Sequence, residues 1–192
     1  AKPVKYGDDA AVAFLADGYD KRETRRIIGF LSHADQRIRQ EAQFALVRKK
    51  AAQELEEVAR NSDNRFARFH AIWGLGQLAR ADSFELENLL PLLDDDDSEV
   101  RVQMAKVLAD AEPIPAAKAK LIALLKDDNL RVQSYVARAV GIFGDPATVT
   151  PVLDVLKEDE TADPYLRHNV VMALSQIGGD HLWSKWAIGK DQ

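Results

Sequence analysis

One nine-residue pattern recurs five times, and its spacing leaves few folds open. An apolar residue is followed, usually at once, by a basic one, then by small or apolar residues four, seven and eight positions after the first. It reads IRQEAQFAL from Ile38, ARFHAIWGL from Ala67, VRVQMAKVL from Val100, VQSYVARAV from Val132 and LRHNVVMAL from Leu166. Successive starts lie 29, 33, 32 and 34 residues apart. That period is the length of a helix-pair repeat, a unit that buries its apolar face only by stacking on its neighbours.

A short polar step precedes each pattern and supplies Asp35, Asn64, Asp97, Asn129 or Asp163. A short side-chain oxygen there can take the unpaired amides of a first helical turn, so each is a candidate N-cap. Before each step lies a second apolar run with helical spacing: RRIIGFLSH, AAQELEEVAR, ELENLLPLL, KLIALLKDD and TPVLDVLKED. Pro151 suits a first turn, whereas Pro91 lies late in its run and should kink or shorten that helix. Gly18, Gly144 and Gly179 suit turns after helices. No strand-like alternation competes. The expected fold is all-α: a right-handed α-solenoid (superhelix) of about five A-helix/B-helix pairs, forming a single repeat domain over 1–192. The pairs fall at about 20–50, 51–81, 82–112, 113–145 and 146–179, with extra terminal helices at about 8–17 and 180–189.

The DxxVRxxAxxAL pattern after an LLxLLxD run resembles the HEAT-like repeats of the phycobilisome-lyase type, from about residue 20 to 178. That resemblance implies a binding scaffold, since this repeat type carries unrelated functions. DQRIRQEAQFAL, FHAIWGLGQLAR and DPYLRHNVVMAL also resemble the HEAT segment of large planctomycete-type multidomain proteins, described as membrane-bound dehydrogenases or haem-binding proteins. In those the chemistry is attributed to neighbouring domains, one with a CxxCH motif. This chain has no cysteine, so no haem attachment carries over.

A helical wheel at about 100° per residue separates core from surface on the B helices. The positions of Ile38, Ala42, Gln43, Ala45, Leu46 and Val47 share one side, which must pack; those of Arg37, Gln40, Glu41, Phe44 and Arg48 lie opposite and should line the inner face. On that second side the second pair places Phe66, Phe69, His70 and Trp73, and later pairs place Lys106, Tyr135, Arg138, Tyr165 and His168. These ten residues with Phe44 included are the candidate partner-binding surface. The aromatic cluster is open to two readings, a partner patch or core covered by a neighbouring element. Gly74 and Gly76 occupy contact positions where a small side chain lets backbones approach. Arg39, Arg68, Arg101 and Arg167 share one column, interrupted by Gln133, and are expected to reach acceptors in the inter-helix turns.

Little catalytic chemistry is visible. Without cysteine there is no disulfide, thiolate metal site or cysteine nucleophile. His33, His70, His168 and His181 form no HxxxH or HExxH spacing, and DDDD at 94–97 lacks the ligand alternation and glycine of a calcium loop. No serine sits in a GxSxG context. A net charge of −5 argues against general affinity for nucleic acid. No apolar run is long enough to span a bilayer, and the N-terminus lacks the apolar core of a signal peptide. The expectation is therefore a non-catalytic interaction module, cofactor- and metal-free, binding a protein or peptide on the inner B-helix face and serving within a larger protein. The competing reading is an enzyme on a HEAT-like scaffold, acting on a nucleic acid base or a bilin-like ligand.

Overall fold

The computed structural model describes residues 16, 18, 19, 21–157 and 163–188, with side chains as far as residue 178. The described residues form helices, 3-10 segments and turns, with no strand among them. The chain packs as two compact units, Ala1–Leu86 and Glu87–Gln192. The first unit holds two helix pairs: α1 (Thr24–Phe30) with α2 (Gln36–Arg48), and α3 (Ala52–Asn61) with α4 (Arg65–Ala79). Within it α2 packs on α1 and on α4, and α4 on α3. The second unit opens within a 3-10 segment, Leu86–Asp94, which precedes α5 (Ser98–Ala109). It continues with α6 (Pro115–Leu124), α7 (Leu130–Gly141), a 3-10 turn at Pro146–Thr148, α8 (Val149–Lys157) and α9 (Pro164–Ile188). Here the B helices α5, α7 and α9 stack in order, with α6 against α7 and α8 against α9. The helix expected at about 8–17 lies almost wholly outside the described residues.

The start of every B helix follows from its polar step. The side chains of Asp35, Asn64, Asp97 and Asn129 accept hydrogen bonds from the amides of Arg37, Ala67, Glu99 and Arg131 respectively. Asp163 accepts from the amides of Tyr165 and Leu166 at 2.7 and 3.0 Å. Each bond occupies an amide that the helix itself leaves unpaired, and losing one costs about 1 kcal/mol.

Burial follows the recurring pattern. Its first position (Ile38, Ala67, Val100, Val132, Leu166) and its fifth (Ala42, Ala71, Met104, Val136, Val170) are buried in all five pairs. Each large apolar side chain so buried contributes roughly 2 kcal/mol.

Two expectations are corrected. The run that contains Pro91 is not a kinked or shortened α-helix; residues Leu86–Asp94 wind as a 3-10 helix. Proline has no N–H to give to the i−4 carbonyl, and its ring crowds that carbonyl, so it disfavours the α form over this run. The turn expected at Gly179, with a separate helix at about 180–189, is absent: α9 runs unbroken through Gly178 and Gly179 to Ile188. A glycine costs a helix interior only about 1 kcal/mol and removes no hydrogen bond, so glycine alone does not stop a helix.

The two interhelical glycines differ in how much room they leave. A Cβ on Gly74 would meet Leu55 Cδ1 at 3.2 Å, Gln43 Cγ at 3.5 Å and Val47 Cγ2 at 3.5 Å, all movable side-chain atoms. A Cβ on Gly141 of α7 would lie 2.7 Å from the Cα of Ala173 in α9. Backbone cannot yield as a leucine methyl can. Gly141→Ala is therefore expected to destabilise the second unit by about 2 kcal/mol despite better helix propensity, while Gly74→Ala should stay within about 1 kcal/mol of the parent. Urea titrations of the two variants check this, and equal effects would contradict it.

Candidate functional site on the B-helix faces

The aromatic residues of α4 divide by burial. Phe66 is 53% exposed and Trp73 half-buried, whereas Phe69 and His70 are buried, so these last two do not offer their rings to a partner. The four form a contiguous set. Phe66 meets Phe69 edge-on at 6.2 Å, Phe69 lies 6.4 Å from Trp73, and His70 meets Trp73 edge-on at 4.9 Å between centroids. The guanidinium of Arg39 lies over Phe66 at 4.8 Å. Phe44, the candidate from α2, is half-buried.

His70 is tied to the preceding pair. Its Nε2 accepts from Arg39 Nε at 3.4 Å, and its Nδ1 lies 2.8 Å from Gln43 Oε1. Since Arg39 can only donate, the proton sits on Nδ1 and is donated to Gln43. Burial, reinforced by the Arg39 charge, lowers its pKa to about 4, so the ring is neutral near pH 7. The sequence carried a signal for this pairing: Gln43 is the only polar residue in a column otherwise occupied by Ile72, Ala105, Ala137 and Val171.

Three of the four recurring arginines hold turns. Arg39 Nη1 donates to the carbonyls of His33 and Ala34 at 2.7 and 2.9 Å, and Arg68 Nε to that of Ala59 at 2.9 Å. Arg101 Nη1 donates to the Asp95 carbonyl at 2.7 Å, while its Nε and Nη2 form a bidentate pair with Asp127 at 2.9 and 3.0 Å. Gln133, which interrupts the column, donates from Nε2 to the Asp127 carbonyl at 2.7 Å. Arg167 is exposed.

In the second unit the B helices frame a groove of about 850 Å³ between α7 and α9. Arg131, Ser134, Tyr135 and Arg138 line it from α7; Tyr165, His168 and Asn169 line it from α9; and Asp128 and Asp163 stand at the helix starts. The sequence-derived candidates Tyr135, Arg138, Tyr165 and His168 thus come together. Lys106 joins them indirectly, its Nζ 5.2 Å from the centroid of Tyr135. Arg131 approaches the same ring at 5.6 Å and forms a bidentate pair with Glu99 at 3.1 Å on both arms. That hydrogen-bonded carboxylate raises the Arg131 pKa above its ordinary value.

Arg138 Nη2 reaches Asp110 at 2.8 Å. Asn169 Nδ2 donates to Ser134 Oγ at 2.8 Å, and that hydroxyl donates to the Tyr165 carbonyl at 3.4 Å. The wall contributed by α7 is therefore pre-organised, with its cations already oriented. Tyr165, which lines the groove, is 79% exposed. What this arrangement offers is stacking surface, hydrogen-bond groups and charge of both signs.

Among the described residues no group of three or more His, Asp or Glu is placed to hold a metal ion, and no helix is long and apolar enough to cross a membrane.

Comparison with known proteins bears on the fold. The family model described as HEAT repeats matches residues 86–175. No curated protein matches the chain. Among solved structures, the complex of CpcE and CpcF of phycocyanin lyase from Nostoc sp. PCC7120 is 18% identical with a TM-score of 0.63, over 92% of this chain and 73% of that one. An engineered protein is 23% identical with a TM-score of 0.55, over 89% and 86%. A designed armadillo repeat protein in complex with the peptide (KR)4 is 16% identical with a TM-score of 0.51, over 79% and 80%. At these identities the likeness concerns the fold alone. Capped helix pairs pack within each unit, and residues 86–175, most of the second unit, are similar to HEAT repeats.

Proposed function

We propose that the chain is a non-catalytic interaction module that holds an extended peptide segment of a partner in the groove between α7 and α9. The observation that carries this reading is the groove itself, about 850 Å³ with Tyr165 standing 79% exposed beside the ordered wall of Tyr135, Arg138 and Asn169. An aromatic ring that reaches solvent from a rigid helix is an effective anchor, because it adds contact area at small entropic cost. The designed armadillo repeat protein lends support by analogy, as a similar helix-pair fold in complex with a peptide. In a large multidomain protein of the kind its B helices resemble, such a module would position neighbouring domains. The likeness to the phycocyanin lyase complex favours a second reading, in which the same groove takes a bilin-like ligand.

The test is selection of binders from a displayed library of unstructured peptides, followed by titration of the best one. Tyr165→Ala is expected to weaken it by about tenfold or more with no change in melting temperature, since the ring makes little core contact. Unchanged affinity would sink the peptide-groove reading. If instead a linear tetrapyrrole alone is retained, and released by the same substitution, the second reading stands.

A further inference from the structure

The B helices also carry a stacking edge, distinct from the groove. Its members lie one, five and nine positions after the first residue of the repeated pattern. In α2 the first two are Arg39 and Gln43, both buried and both bonded to His70 of the following B helix. In α5 the first is Arg101, whose guanidinium grips Asp127 in the turn of the following pair. In α7 the third is Gly141, pressed against the backbone of Ala173 in α9. On α9 the same three positions hold Arg167, Val171 and Ser175, and all three are exposed, Val171 by 50%. Beside them Leu174 is only half-buried, although its counterparts Leu46, Leu108 and Val140 are sealed.

We propose that this edge of α9 docks a helix hairpin of the same repeat kind, supplied by a partner, with a carboxylate in its inter-helix turn and a small residue midway along its second helix. The carboxylate would meet Arg167 as Asp127 meets Arg101. The small residue would lie over Val171 and Ser175 as Ala173 lies over Gly141, where a larger side chain would hold the backbones apart. Charge argues against a second copy of this chain as the occupant. Five residues before the pattern, where the fourth pair has Asp127, the first pair has His33, which offers Arg167 no negative charge. None of Arg167, Val171 and Ser175 lines the groove, so this surface and the peptide site stand or fall separately.

The experiment appends a copy of residues 113–145, the pair bearing Asp127, to the full chain after Gln192 through a flexible Gly-Ser linker of about 20 residues. Alone, a hairpin of that length is expected to be unfolded and rapidly cut by trypsin. Tethered to the parent chain, its cleavage should slow by about tenfold or more. Val171→Glu and, independently, Arg167→Glu should restore fast cleavage while the host melts as before, because both side chains are exposed. Tyr165→Ala, in the groove, should leave the protection intact. Fast cleavage in the parent fusion overturns the proposal, as does protection that survives both edge substitutions. A concentration-dependent dimer of the unfused chain that Val171→Glu abolishes would overturn it in favour of self-association.

Discussion

Arg101→Met is expected to destabilise the second unit by about 3 kcal/mol, the largest loss we foresee from a single side chain. The partner carboxylate, Asp127, is only 6% exposed, and the arginine side chain itself is largely covered. Methionine keeps the length of the side chain but withdraws both arms of the bidentate pair and the donor to the Asp95 carbonyl. Asp127 then retains the amide of Asn129 at 2.9 Å as its remaining hydrogen-bond donor. A buried charge stripped of its counterion accounts for most of such a loss, beyond the value of the contact itself. Adding Asp127→Asn to Arg101→Met should recover part of the stability, because the neutral amide needs no counterion. Urea unfolding of the single and double variants checks this. A cost below about 1 kcal/mol, typical of an exposed pair, would show that water reaches the carboxylate.

The second large effect is acid sensitivity of the first unit. His70 is held neutral, with a pKa of about 4 against about 6.5 in an unfolded chain. A base whose folded pKa is depressed contributes its full stability above the unfolded value, and loses it as pH falls toward the folded one. The affected window therefore runs from about pH 6.5 down to about 4. The loss is about 2 kcal/mol by pH 5 and about 3 kcal/mol at its limit. Protonation would set a second cation against Arg39 and leave Arg39 Nε without its acceptor. His70→Gln should flatten the pH dependence of the urea midpoint between pH 7 and 5, whatever it does to stability at neutral pH. A slope unchanged in that variant would assign the acid sensitivity to other groups.

What the sequence made legible was whatever depends on neighbours within a helical turn or two. The capping residues Asp35 to Asp163 are of this kind, because the amides they satisfy lie two or three residues away. So are the apolar columns beginning at Ile38 and Ala42, where a fixed angular step places a side chain on the packed face whatever lies across from it. The aromatic residues of α4 were less legible. Phe66 and Phe69 are three residues apart on one helix, yet one is exposed and the other buried. That difference depends on how an adjoining pair sits, which no local spacing encodes.

The groove falls between. Its side chains share columns that the wheel identifies, but only the stacking of α9 on α7 sets Tyr165 opposite Tyr135. The partner of Arg101 illustrates the same limit. The arginine column was visible at once, whereas Asp127 lies 26 residues further along the chain and becomes its counterion only through packing.

Pro91 has one more effect, and it concerns length. A 3-10 helix rises about 2.0 Å per residue against about 1.5 Å in an α-helix, so the nine residues Leu86–Asp94 span about 18 Å. The twelve residues of α5 span the same distance in α form. The two segments of the third pair are therefore equal in length although one has three fewer residues. If the segment relaxed to α form it would shrink by about 4.5 Å, close to one helical turn, and the chain leading into α5 would have to make up that length.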